Sequence, residues 1–130
     1  MENASVSDSP LALLLCDDLM FTSRITGTAR ALSLTVKPAR SVADLEALAG
    51  QQKPRCVIID LGHPGLNIGG LVRRFRPDGA GQPFIVAYGS HVDSAGLQAA
   101  RAAGCDVVLP RSKFADELPT ALPRWLNPLD

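Results

Sequence analysis

A few polar residues sit where side chains can meet and react. They are Asp17 and Asp18 in "LLLCDDL", Asp60 with Gly62 and His63 in "CVIIDLGHPG", Ser90 and His91 in "AYGSHVD", and Arg111 in "VLPRS". Asp60 closes an apolar run, and a carboxylate there is costly unless its charge is used. Three carboxylates gathered in one crevice repel unless a cation joins them. Oxygen ligands with room for water suit Mg²⁺ better than a soft metal. The plainer alternative makes Asp17 and Asp18 caps of a first helix and Asp60 the cap of a turn.

Whether the three carboxylates meet depends on the elements that carry them. Residues 11–16, 56–60, 84–88 and 106–109 are short apolar runs bounded by breakers, the pattern of strands buried on both faces. Residues 34–39 are a weaker strand, which Pro38 assigns to a sheet edge. Between the strands lie helical stripes. Phe21, Ile25, Ala29 and Leu32 share one face, although Gly27 and three threonines weaken that helix. Ser41 and Asp44 have near-capping-box spacing, with Gly50 as the expected stop. Ile68, Leu71, Val72 and Phe75 form the clearest stripe, and Arg73, Arg74 and Arg76 read as its wet face. Residues 93–103 form an alanine-rich helix capped by Gly104. A last helix follows Ser112 with Phe114, Leu118, Leu122 and Trp125 on one side; Pro119 and Pro123 predict that it is kinked or split.

Strict strand–helix alternation predicts a parallel sheet covered by helices on both faces. With right-handed crossovers this is a flavodoxin-like doubly wound α/β sandwich of order 2-1-3-4-5. Ligands bind such sheets beyond the carboxyl ends of the strands, where the order reverses. Strands one and three flank that point, so Asp17, Asp18 and Asp60 are predicted to face one crevice. His63 and His91 fall in loops at the same end, as a metal site, an acid–base pair or solvated loop residues.

The order of these motifs resembles the receiver domain of two-component response regulators. Paired acids follow strand one, an Asp ends strand three, Pro64 lies four residues beyond it, and "AAGCDVVLPRS" resembles the segment from helix four through strand five. The likeness spans about residues 10–126. It implies a stand-alone signalling domain, not an enzyme, in which Asp60 accepts a phosphoryl group from a histidine kinase or a small phosphodonor and so controls binding of a protein effector. Asp18, Asp60 and the Gly62 carbonyl would hold Mg²⁺, with Asp17 acting through water.

Two positions depart from that pattern. Receivers place Thr or Ser after strand four, but counting back fifteen residues from Gly104 lands on Gly89, and counting forward from Pro83 lands on Tyr88. Ser90 is a candidate switch hydroxyl only if the loop shifts. The family lysine after strand five is Arg111 here, a planar fork in place of an ammonium. The strand-three loop also looks one residue longer than usual. The alternative is therefore a pseudo-receiver, an interaction module without phosphotransfer. Other chemistries fit worse. Asp17 and Asp18 are adjacent, not the DxD of haloacid-dehalogenase-like phosphatases; "DLGHPG" misplaces the histidine of a cobalamin-binding DxHxxG; and "GLNIGG" has no P-loop lysine.

Composition adds exclusions. The 130 residues predict a flexible tail over 1–10 and a domain over 11–130. Thirteen basic and thirteen acidic side chains cancel, which gives no general attraction to nucleic acid or an anionic membrane. Three unpaired cysteines without a CxxC suit the cytoplasm. No signal peptide or membrane-length apolar run is present.

Overall fold

A computed structural model describes residues 10–79 and 81–127. Residues 1–9 of the tail expected over 1–10, residue 80 and the last three residues lie outside them. Five strands alternate with five helices: β1 (Leu11–Leu15), α1 (Leu19–Ala31), β2 (Thr35–Ala39), α2 (Val42–Gln51), β3 (Cys56–Asp60), α3 (Ile68–Phe75), β4 (Phe84–Gly89), α4 (Ser94–Ala103), β5 (Val107–Pro110) and α5 (Arg111–Leu126). All strand pairings are parallel, in the order β2-β1-β3-β4-β5. This is the flavodoxin-like order expected from the sequence.

Pleating sends alternate residues to opposite faces, and each face closes against its own helices. Ala12, Leu14, Ile58, Val86 and Tyr88 pack with Ile25 and Ala29 of α1 and with Phe114, Leu118, Leu122 and Trp125 of α5. Leu13, Leu15, Val57, Ile59, Ile85 and Ala87 pack with Leu45, Leu71, Val72 and Ala100 from α2, α3 and α4. Pro38 sits on the edge strand β2, where a missing ladder donor is tolerated.

The helix starts are chemically specified. Asp18, Ser41, Asn67 and Asp93 each accept a hydrogen bond from an amide of the following turn. Gly104, at φ 101°, closes α4 in the left-handed conformation as expected. Gly50 does not stop α2, which runs on to Gln51 before Gln52 turns extended.

Two expectations are corrected. Of the kinked or split forms expected for the last helix, the split one is not found: α5 runs unbroken over 16 residues with Pro119 and Pro123 inside it. Its buried stripe holds it to the sheet, and Pro119 is exposed, so water can take the carbonyl it leaves without a donor. Arg76 is not on a wet face either; it is only 7% exposed. It caps the end of α3, where its guanidinium donates to the Pro83 carbonyl (Nε 3.0 Å, Nη2 2.8 Å) and the Gly104 carbonyl (Nη1 3.2 Å). It also pairs with Asp106, whose Oδ2 accepts from the Ile85 amide at 2.8 Å. One cation thus ties α3, the start of β4 and the start of β5 at the end of the sheet remote from Asp60. Arg73 and Arg74 are exposed, and Arg74 pairs with Glu46.

Replacing Arg76 by Met keeps much of its volume but leaves Asp106 and two carbonyls without their partner. The expected loss is about 3 kcal/mol in urea unfolding; an unchanged midpoint would show that the pairing is incidental.

Burial also shapes the alkaline limit. It pushes the Cys56 thiol far up from 9.0, with Asp106 adding to the rise. It pushes the half-buried Cys105 up to about 11, Arg76 opposing. Above about pH 9 the unfolded chain loses thiol protons that the folded chain keeps, so stability is flat below that pH and falls as pH rises. Urea midpoints recorded from pH 7 to 11 are expected to decline only beyond about 9, and less steeply in Cys56→Ala once its own offset is subtracted.

Candidate functional site

The site grows from the carboxyl ends of β1, β3 and β4, whose next residues lie side by side. Asp60 ends β3 and pairs across the sheet with Tyr88 of β4. Cys16 directly follows β1, and its Sγ lies 3.6 Å from Asp60 Oδ2. Asp60 is only 5% exposed, so its charge has to be met by protein groups. The Gly62 amide donates to Oδ1 at 2.8 Å, and the Arg111 guanidinium stands 3.7 Å from the same oxygen. A Cβ on Gly62 would come within 3.3 Å of Oδ1, so glycine permits this close return of the chain.

Arg111 reaches Asp60 across two aromatic rings. Its guanidinium carbon lies 5.4 Å from the centroid of Phe21 and 6.0 Å from that of Tyr88. Tyr88 stacks on Phe114 at 4.4 Å, and Phe114 stacks on Trp125 at 5.7 Å. A row of rings therefore runs from the mouth of the site down the inside of α5.

The two counts across strand four are resolved by the pleat. A side chain at Gly89 would meet Leu61 and Leu97, whereas Tyr88 lies on the same face as Asp60. Tyr88 therefore stands where the short hydroxyl residue was expected. Its hydroxyl is buried and has no hydrogen-bond partner among the described residues. Burial first, then the neighbouring Cys16 and the charge of Asp60, push its ionisation far up; Arg111 opposes.

The other sequence-predicted residues are dispersed. Asp18 caps α1, its Oδ1 accepting from the Phe21 amide at 3.1 Å, and Asp17 is exposed beside it. Among the described residues no group of three His, Cys, Asp or Glu is arranged to hold a metal ion. Asp18 Oδ1 is engaged in the helix cap, and Asp60 Oδ1 by the Gly62 amide and Arg111, so these carboxylates are not gathered as a ready-made cation site. Gly62 meets Asp60 through its N–H. The His63 ring lies 2.7 Å from the Arg40 carbonyl and 3.1 Å from that of Pro64, tying two loops together. Ser90 accepts from the Val92 amide at 3.4 Å, and with His91 it lines a cleft that also contains Arg111. Cys16, Phe21 and Arg24 were not singled out as site residues. The available signal was the spacing of Phe21 and Arg24, which puts both on one side of α1 just after its acidic cap.

Comparison with known proteins agrees with this geometry. The signal receiver domain of a response regulator from Bermanella marisrubri aligns with a TM-score of 0.77 at 25% identity, covering 95% of this chain and 100% of its own. The fold is that of response-regulator receiver domains. The receiver domain of Francisella response regulator 1452 (TM-score 0.77, 16% identity, 94% and 100% covered) has the same fold. So does the chemotaxis response regulator CheY4 of Vibrio cholerae (0.75, 17%, 90% and 98%). No protein-family model matches the sequence, and no curated protein matches it. Within this fold, the strand-end aspartate of this chain is surrounded by an aromatic–guanidinium stack. No helix among the described residues is long and apolar enough to cross a membrane.

The stack makes opposite predictions for two substitutions. Tyr88→Phe removes an unpartnered buried hydroxyl and is expected to stabilise by about 1 kcal/mol. Tyr88→Thr restores the family hydroxyl but empties the space beneath Phe114, at an expected loss of about 3 kcal/mol. Thermal melts of both variants check this; a stable Tyr88→Thr would mean that the rings do not carry the packing.

Proposed function

We propose that this chain is a receiver-like signalling domain that works by binding a protein partner, with Arg111 supplying the positive charge opposite Asp60. The observation that supports this reading is the 3.7 Å approach of the guanidinium to Asp60 Oδ1, made over the Tyr88 and Phe21 rings. A guanidinium stays charged throughout the physiological range and cannot dissociate as a metal does. The carboxylate is thereby balanced without a metal. With Tyr88 packed in the ring stack and Asp18 engaged as a cap, a phosphoryl group at Asp60 would lack the usual differential contact between two states. The surface offered to the partner is then constant, and neither Mg²⁺ nor phosphotransfer is required. The unpaired cysteines are in keeping with a cytoplasmic setting for such a module.

A second reading has one observation in its favour. Among the described residues, Oδ2 of Asp60 has only the weak Cys16 thiol beside it, at 3.6 Å, while Oδ1 is engaged. Oδ2 is thus the oxygen able to attack phosphorus. A P–O bond to Asp60 would form as the bond to the donor breaks, and Arg111 would face the transferred group. A histidine kinase or a small phosphodonor would then be the source.

Incubation with acetyl phosphate, with and without Mg²⁺, followed by intact mass measurement, separates the two. The unmodified mass is expected under both conditions. One phosphoryl adduct that disappears in Asp60→Asn would overturn the constitutive module and establish acceptance at Asp60.

A further inference from the structure

Beside the strand-end site lies a cleft of about 350 Å³ that shares Arg111 with it. Its walls come from three elements: Phe21 and Arg24 of α1, Ser90 and His91 after β4, and Arg111 and Ser112 at the start of α5. The volume falls in the ordinary range of small-molecule sites, about 300–1,000 Å³. The lining includes two arginines, a histidine and two hydroxyls, and no acid.

We propose that this cleft binds a small organic phosphate monoester. Arg24 is exposed, and among the described residues its guanidinium makes no ion pair or hydrogen bond. Arg111 is offset by a single carboxylate at 3.7 Å. An excess of positive charge therefore faces the hollow, and guanidinium forks bind phosphate oxygens two at a time. The first turn of α5 adds to it. Unlike the other four helices, α5 has no side-chain cap, so its leading amides and the positive end of its dipole remain open beside Ser112. Two guanidiniums and a helix start suit a dianion better than a single carboxylate. The cleft is larger than an inorganic anion needs, and Phe21 gives the remainder an aromatic wall.

Binding there has a consequence for Asp60. Arg111 borders both the cleft and the carboxylate, so a dianion in the cleft divides the guanidinium that otherwise faces Asp60 alone. The proposal does not depend on how Asp60 is used, because the free cation of the cleft is Arg24.

Phenyl phosphate titrated into the full chain, followed by backbone amide shifts, tests it. Saturable shifts are expected at Ser90, His91 and Ser112, with affinity retained or raised in Asp60→Asn, which frees Arg111. Arg24→Ala, at an exposed site, is expected to weaken binding about tenfold or more. Benzoate and inorganic phosphate are expected to bind more weakly. Absence of saturation at millimolar phenyl phosphate, or unchanged affinity in Arg24→Ala, would overturn the site. Inorganic phosphate binding as tightly as phenyl phosphate would overturn the organic-ester assignment, and binding lost in Asp60→Asn alone would move the site to the strand ends.

Discussion

A carboxylate sealed at the end of a central strand obliges the surrounding structure to supply positive charge. Asp60 is flanked by β1 and β4 and covered by the following loop, so bulk water screens little of its field. The Gly62 amide answers one oxygen with a dipole, and Arg111 answers the same oxygen with a full charge. That need reaches far along the chain. It calls for a glycine where the β3 loop folds back, a helix that starts immediately after β5, and aromatic faces that hold a long guanidinium stem in place. Arg111 suits the task because its flat, weakly hydrated head can lie over rings and still point at a carboxylate, which an ammonium does less well.

The aromatic row has its own logic. A small hydroxyl residue after β4 would leave room for movement beside Asp60, whereas Tyr88 fills that room and locks against Phe114. The rings of Phe21, Tyr88, Phe114 and Trp125 make α1, β4 and α5 a single packed unit. Close-packed interiors have few neighbouring arrangements of similar energy. The same contacts that support Arg111 therefore oppose the sliding of β4 and α5 on which a hydroxyl switch depends. They also help explain why α5 stays continuous through two prolines.

Much of the fold was legible because periodicity and breakers survive in a single sequence. Runs such as "CVIID" could only be strands buried on both faces, and Pro38 marked the edge correctly. Ser41 and Gly104 were readable as helix ends from local chemistry alone. What failed was decided by distant partners. Arg76 lies on the polar side of its stripe, and nothing nearby in sequence shows that Asp106 and the Pro83 carbonyl await it. The site was half legible for the same reason. Asp60 and Arg111 were found by position, and the structure brings them together. The acidic pair was located correctly on the chain, yet the helix that follows takes Asp18 as its cap. Arg24 escaped notice because an exposed helical arginine has no distinguishing pattern until the cleft around it is seen.

The position of Arg111 bears on how such a domain could carry information at all. A ligand shifts a conformational equilibrium only as far as it interacts differently with the two states. With Tyr88 immobilised, the strand-four hydroxyl offers no such difference. The guanidinium does, because it stands between a buried carboxylate on one side and an open, acid-free cleft on the other. Charge withdrawn from Asp60 leaves an under-compensated buried anion, which is unfavourable in a low-dielectric setting. Relief has to come from movement of the β3 loop, which carries Gly62, or of the first turn of α5, which carries Arg111 itself. Both lie at the exposed end of the sheet, where Leu19, Met20 and Val92 present apolar side chains to solvent. On the partner-binding reading proposed above, occupancy of the cleft would therefore be felt at the loops at the strand ends, while the ring-packed body of α5 stays as it is.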